Sequence, residues 1–68
     1  MNKLRLESVM KLHGDNGGTL SEYLGIARST FSAKINGTNG ADFTNDEMIK
    51  IRDKYNLDAD GVYAIFFE

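Results

Sequence analysis

The chain has 68 residues, enough for one small domain over residues 1–68, and 41% of them are hydrophobic, an ordinary value for a globular protein. It has no cysteine and one histidine, which excludes disulfide scaffolds and cysteine nucleophiles and leaves little for a zinc site or a catalytic relay. Its net charge of −2 does not suggest a nucleic-acid binder.

Apolar spacing predicts a first helix over about residues 3–13, ended by Gly14, which tolerates a positive φ. Its inward stripe follows helical spacing at Leu6, Val9, Met10 and His13. We expect His13 to be a partly buried or helix C-terminal residue rather than a metal ligand. Thr19 and Glu22 have the spacing of a capping box that starts a second helix, which ends at Gly25.

Three further helices are predicted. The third covers about residues 28–35, and Thr44 with Glu47 forms a second capping box that starts a helix running to about Tyr55. Asp58 is expected to cap a fifth helix, whose inward stripe is Val62, Ile65 and Phe66. No segment alternates at period two over the length of a strand, so we predict an all-α fold of five short helices.

The charge is distributed unevenly between the two parts of the chain. Residues 1–40 carry five bases and three acids, a net +2, whereas residues 41–68 carry three bases and seven acids, a net −4. A small domain with this split can present a mildly basic face and a strongly acidic one. By itself the split is typical of an ordinary solvated surface, so its meaning depends on whether the basic part holds a binding element.

The junction of helices 2 and 3 carries the functional signal. Only Gly25-Ile26-Ala27 separates them, so they must cross at a large angle. Ser21 is small and lets the two helices approach closely. Small side chains on helix 3 would allow its backbone to lie deep in a DNA major groove. Its predicted outer face has this character, with two bases: Ala27, Arg28, Ser29, Thr30, Ser32, Ala33 and Lys34.

Residues 19–37, TLSEYLGIARSTFSAKING, resemble the helix-turn-helix of the lambda repressor-like family of phage repressor and Cro proteins. The five-helix layout resembles that family over nearly the whole chain. The resemblance implies a compact five-helix DNA-binding domain in which helices 2 and 3 form the helix-turn-helix. The chain departs from the family at Gly17, where glutamine is usual, and at Lys34, where an apolar residue is frequent. The matching residues are Leu20, Leu24, Gly25, Ile26, Arg28, Ser29, Thr30, Phe31, Asn36 and Gly37.

The resemblance also implies a role for each matched position, with the recognition helix at about residues 28–35. Arg28 would favour a bidentate contact with guanine O6 and N7. The other positions that match base-reading residues are Ser29, Ser32 and Ala33. Positions implied to contact the DNA backbone or support the site are Thr19, Ala27, Thr30, Lys34, Asn36, Gly37, Thr38 and Asn39.

These features predict a sequence-specific, double-stranded DNA-binding transcriptional regulator of phage or prophage type, either a repressor or Cro-like, in the bacterial cytoplasm. Tyr63 and Phe67, four residues apart, are a candidate homodimer patch, or else a frayed end that covers the domain. A dimer would suit two half-sites one turn of DNA apart.

The alternative function is a protein-interaction module, an antirepressor or regulator subunit, that keeps the helix-turn-helix shape and binds a basic partner through its acidic part. We expect no enzyme, because the single histidine gives Ser29 and Ser32 no suitable base. We also expect no metal, cofactor, small-molecule ligand or membrane. Residues 56–61 resemble half of a calcium-binding loop, but Phe67 stands where the loop needs its bidentate glutamate, so a helix N-cap is the preferred interpretation.

Overall fold

Five α-helices, short loops and one 3₁₀ turn make up the chain, which contains no strand, so the predicted all-α class is confirmed. The computed structural model describes residues Met1–Glu68. None of the helices is both long and apolar enough to cross a lipid bilayer. The helices are α1 Lys3–Leu12, α2 Gly17–Leu24, α3 Arg28–Asn36, α4 Asn45–Tyr55 and α5 Ala59–Phe66, and the 3₁₀ turn is Thr38–Gly40.

Side chains close the N-termini of four of the five helices. Asn2, Asn16, Thr44 and Asp58 each accept a hydrogen bond from a first-turn backbone N–H. The predicted capping box of Thr44 and Glu47 and the predicted N-cap at Asp58 are both confirmed. Because each cap stabilises a helix by ~1 kcal/mol, local sequence determines where these helices begin.

The predicted start of α2 is wrong. The capping box uses Asn16 and Thr19 instead of Thr19 and Glu22: Asn16 Oδ1 accepts from the Thr19 N–H, and Thr19 Oγ1 accepts from the Asn16 N–H, both at 2.9 Å. The helix therefore begins at Gly17. Thr19 Oγ1 also donates to Asp15 Oδ1 at 2.8 Å, which fixes the hydroxyl inside the first turn rather than ahead of it.

The hydrophobic core draws two buried side chains from every helix and one from the loop before α4. That loop residue, Phe43, lies between two other aromatic rings, with centroid distances of 5.7 Å to Phe31 and 6.1 Å to Phe66 in edge-on geometry. The radius of gyration of 10.8 Å is the value of about 11 Å expected for a compact domain of this length. The core residues are Leu6, Met10, Leu20, Leu24, Phe31, Ile35, Phe43, Ile51, Tyr55, Ile65 and Phe66.

His13 does not join this core. It is the exposed C-cap residue of α1. Of the two predicted alternatives, the position at the C-terminus of the helix is therefore observed and partial burial is not. The ring packs against Tyr55 with a centroid distance of 4.8 Å. Its Nδ1 lies 2.9 Å from the Val9 carbonyl oxygen. The imidazole therefore covers the edge of the core instead of entering it.

Two helix pairs position the rest of the molecule, α2 against α3 and α1 against α5. Ser21 is buried in α2, and its hydroxyl donates to the Gly18 carbonyl at 2.9 Å. Burial of this polar side chain is therefore accompanied by a hydrogen bond, which avoids the cost of an unpaired group. At the other pair, the Asn2 N–H donates to the Ile65 carbonyl at 2.6 Å and ties the start of α1 to α5.

Candidate nucleic-acid interface

The connection between α2 and α3 is a tight turn of three residues. Gly25 has φ 74° and ψ 29°, the left-handed conformation in which glycine has no steric penalty. The Ile26 N–H donates to the Ser21 carbonyl at 3.1 Å, and Ile26 itself is half-buried against the core. A Cβ at Gly25 would meet nothing within 4 Å, so the backbone conformation, and not lack of space, favours glycine here.

The N-terminus of α3 is the one helix start that no side chain caps. Its N-cap residue is Ala27, which has an extended backbone and no side-chain hydrogen bond. The first-turn N–H groups of a helix have no intrahelical partners. Arg28, Ser29 and Thr30 of this turn are all exposed, as is Ser32 one turn later. This end of α3 therefore presents hydrogen-bond donors and small polar side chains to solvent.

The Arg28 side chain extends beside the first turn of α2. A Cβ added to Gly17 would lie 3.8 Å from Arg28 Nε, and one added to Gly18 would lie 3.7 Å from Arg28 Nη1. No ion pair neutralises the guanidinium. Because a helix N-terminus carries a partial positive charge, the guanidinium and the dipole of α2 together favour an anion at this position.

A chain of polar contacts connects α3 to α1. Asn36 Oδ1 accepts from Lys3 Nζ at 2.6 Å, and Asn36 Nδ2 donates to Ser32 Oγ at 3.3 Å. Lys3, Arg28, Ser32 and Asn36 line one surface cleft together with Glu7. The Asn36 amide is therefore occupied within the protein. The basic residue that contacts it is Lys3. Sequence reasoning did not include Lys3 in the site, because it lies 33 residues from Asn36.

Two residues that were predicted on the exposed outer face of α3 are partly buried, Ala33 and Lys34. The prediction that Lys34 lies on the outer face is wrong: its side chain is 16% exposed and turned towards α4, where Nζ lies 2.6 Å from Glu47 Oε1. The physical reason is the buried carboxylate, which requires a cation within reach.

The first four residues of the loop after α3, residues 37–40, are exposed. Gly37, Asn39 and Gly40 have φ values of 67°, 52° and 78°, so three residues of this segment lie in the left-handed region. Asparagine tolerates this conformation better than most residues with a side chain. Thr38 and Asn39 are both exposed and project next to the C-terminus of α3.

A polar network holds the start of α2 against α4. The Tyr55 hydroxyl donates to Asp15 Oδ2 at 2.7 Å, and Lys54 Nζ lies 3.3 Å from the same oxygen. The hydrogen bond from Tyr55 is the main cause that holds the pKa of Asp15 below its ordinary value, while burial raises the pKa of Tyr55. Lys54 Nζ also lies 4.8 Å from the centre of the Tyr23 ring. None of these contacts was predicted, because they join residues distant in sequence.

The candidate dimer residues lie at the C-terminal end of the chain: Tyr63 is on α5, and Phe67 is the C-cap of that helix. Tyr63 is 60% exposed and Phe67 is 62% exposed, with ring centroids 6.3 Å apart. Ile49 of α4 is exposed as well, and Val62 and Phe67 line a cleft with it. Met48 and Arg52 also line this cleft. The two helices therefore share an apolar surface, which we call the α4–α5 patch: Met48, Ile49, Val62, Tyr63 and Phe67.

Comparison of the chain with protein-family models, curated proteins and solved structures gives no significant match. No three His, Asp or Glu side chains cluster in a way that could hold a metal ion. Asp58, the first acidic residue of the calcium-loop-like segment, accepts instead from the Gly61 N–H at 2.7 Å.

Proposed function

We propose that this chain is a sequence-specific, double-stranded DNA-binding transcriptional regulator of the phage repressor or Cro kind. In this proposal α2 and α3 act as a helix-turn-helix, and α3 enters the major groove. The observation that carries the proposal is the tight turn at Gly25, followed by a helix whose N-terminal face is small, polar and exposed. The resemblance of residues 19–37 to the phage repressor and Cro family also supports it.

The residues of α3 have the chemistry that base reading requires. Arg28 is exposed and free of an ion pair, so its guanidinium is available for guanine O6 and N7. The hydroxyls of Ser29 and Ser32 can donate or accept at base edges. The uncapped N-terminus at Ala27 offers backbone N–H groups to a phosphate. Helix and side chains would thus divide the work of orientation and readout.

Charge supports specific more than non-specific binding. Residues 1–40 have a net charge of only +2, and Lys34 is neutralised by Glu47. Non-specific affinity depends on the number of DNA phosphates that lysine and arginine side chains neutralise. We therefore expect weak binding to random DNA, with specificity supplied by α3 and by dimerisation.

We further propose that the chain pairs with a second copy through the α4–α5 patch. Tyr63 and Phe67 are aromatic, exposed and adjacent, a composition enriched in the centres of interfaces. To read two half-sites one turn of B-DNA apart, a symmetric dimer must place its two copies of α3 about 34 Å apart. The operator would then be a pseudo-palindrome.

Selection of bound duplexes from a random pool tests the proposal. We expect enrichment of a palindromic motif, and the logarithm of its affinity should fall linearly with the logarithm of salt concentration between about 50 and 200 mM. Failure to retain any DNA at about 50 mM salt would overturn the proposal.

That outcome would favour the second candidate, a protein-interaction module. The observation behind it is the acidic part of the chain, in which six of the seven acids are exposed, all but Glu47. A basic protein partner would then bind this part more weakly as salt rises. Replacing Asp58 and Asp60 by asparagine would weaken such a complex.

A further inference from the structure

Lys34 and Glu47 form a largely buried ion pair that joins α3 to the start of α4. Lys34 Nζ lies 2.6 Å from Glu47 Oε1 and 2.8 Å from Oε2, and the two side chains are 16% and 10% exposed. Glu47 Oε1 also accepts from the Thr44 N–H at 2.9 Å within the capping box. One carboxylate therefore closes the first turn of α4 and binds the ammonium group of α3.

The pair constrains α3 in a way that the core cannot. Phe31 and Ile35 attach the helix through apolar contacts, which are not directional. A charged pair with two short hydrogen bonds has a preferred geometry, so it resists rotation of α3 about its axis. In the proposed DNA complex, the rotation of α3 would decide whether Arg28 and Ser32 face the base edges of the major groove or the sugar–phosphate backbone. On the other flank the only comparable restraint is the contact of Asn36 with Lys3.

We propose that Lys34 is a positioning residue, which holds α3 in its reading orientation through Glu47, and not a phosphate ligand. The effect on DNA rests on the proposed function, whereas the restraint of α3 by Glu47 exists in the free protein. Lys34 has two of its three donors occupied by the carboxylate. The side chain is only 16% exposed, so reaching a phosphate would draw the ammonium group away from the largely buried Glu47 carboxylate, which is costly.

Glu47 provides the sharper test, because the two roles of Lys34 predict opposite signs. Glu47→Gln removes an acid and releases Lys34, so a phosphate-ligand role predicts tighter binding to a polyanion. A positioning role predicts weaker binding by about ten-fold, a size typical of energetic coupling between sites. Glutamine keeps an oxygen that can accept from the Thr44 N–H, so the capping box is retained.

The experiment measures the affinity for a duplex selected from a random pool with the unaltered chain, at several salt concentrations. The variants are Lys34→Met, Lys34→Arg, Glu47→Gln and the double variant Lys34→Met/Glu47→Gln. Lys50→Met, which removes an exposed lysine of α4, controls for net charge. Circular dichroism verifies that each variant is folded at the assay temperature. The double variant leaves neither charge unpaired, so it keeps the test possible if Lys34→Met does not fold.

We expect Lys34→Met, Glu47→Gln and the double variant each to lose about ten-fold in affinity, with an unchanged salt slope. Lys34→Arg should retain most of the affinity of the unaltered chain, because arginine can still pair with Glu47. The proposal is overturned if Glu47→Gln binds as well as the unaltered chain or better. It is equally overturned if Lys34→Met lowers the salt slope by about 0.9, the amount expected for one lost phosphate contact.

Amide hydrogen exchange in the free protein separates this inference from the proposed function. We expect Lys34→Met to speed exchange in α3 more than in α1, because α3 loses its restraint to α4. If the unaltered chain binds no DNA, the proposed function fails, and exchange alone then decides whether Lys34 restrains α3. Equal acceleration in α1 and α3 would overturn the positioning role.

Discussion

Tyr55 donates its hydroxyl to Asp15 at 2.7 Å across 40 residues of sequence and so joins the C-terminal turn of α4 to the loop before α2. The ring is 5% exposed, so its hydroxyl depends on this one acceptor. A hydrogen bond to a charged group contributes more than one between neutral groups. The contact holds the start of α2 against α4. It therefore helps to position α2, the helix that precedes the proposed recognition helix α3.

Tyr55→Phe should destabilise the domain by about 1.5–3 kcal/mol, because it removes a hydrogen bond to a carboxylate and leaves the ring in place. Urea unfolding followed by circular dichroism measures this loss. Tyr23→Phe is the control, because Tyr23 is 49% exposed and its hydroxyl makes no hydrogen bond, so this change should alter the unfolding free energy little. Equal stability of the two variants would show that the contact of Tyr55 with Asp15 contributes nothing.

Acid should destabilise the domain through Asp15 and Glu47, whose pKa values both lie below their ordinary values of 3.8 and 4.5. For Glu47, burial raises the pKa, but the hydrogen bonds from Lys34 and from the Thr44 backbone outweigh it. The unfolded chain therefore takes up protons at a higher pH than the folded chain. The stabilisation is complete well above these ordinary values and is lost as pH falls towards the folded-state values.

Urea unfolding between about pH 7 and pH 3 measures this dependence. Asp15→Asn should flatten the curve, because the amide keeps an acceptor for Tyr55 but cannot titrate. Asp60→Asn alters an exposed acid of α5 that makes no side-chain hydrogen bond or ion pair, and it should leave the curve nearly unchanged. An Asp15→Asn curve as steep as that of the unaltered chain would contradict the assignment.

The sequence predicted what is local and missed what is distant. Helix positions, two of the three predicted N-termini and most inward residues of α1 and α5 follow from capping and periodicity, which act within a few residues. Lys34 shows the limit: its helix position is at the edge of the outer face, and only the buried Glu47 on another helix decides its direction. Similarly, nothing local pairs Lys3 with Asn36. These contacts depend on tertiary packing.

Gly25→Ala should destabilise the domain by about 1 kcal/mol, since alanine pays a steric cost in the left-handed region. Gly17→Ala is the matched change: Gly17 is helical, and the added methyl would lie 3.6 Å from the Phe31 ring, an ordinary contact. It should stabilise the domain by up to about 0.5 kcal/mol through helix propensity. Thermal unfolding of the pair measures both. Loss of stability in Gly17→Ala and not in Gly25→Ala would contradict the conclusion that the left-handed conformation of Gly25 requires glycine.

Arg28→Ala should weaken binding to the selected duplex by about 1–3 kcal/mol and relax the preference for one base pair in each half-site. Binding to duplexes with single substitutions measures both effects. Lys50→Ala removes the same charge from α4 and should lower affinity slightly and equally for all sequences. An Arg28→Ala profile that keeps every base preference would assign readout to another residue.

Phe67→Asp should abolish the proposed self-association, because it places a charge in the apolar α4–α5 patch that the second copy would cover. The residue is 62% exposed, so the monomer should retain its stability. Sedimentation equilibrium measures the dimer, and titration of the selected palindrome measures the loss of binding to two half-sites. Leu12→Asp is the control, since Leu12 is 83% exposed on α1 and undergoes the same change from apolar to acidic. If both variants dimerise as the unaltered chain does, then the two copies pair through a different surface, and the half-site spacing must be derived from that surface instead.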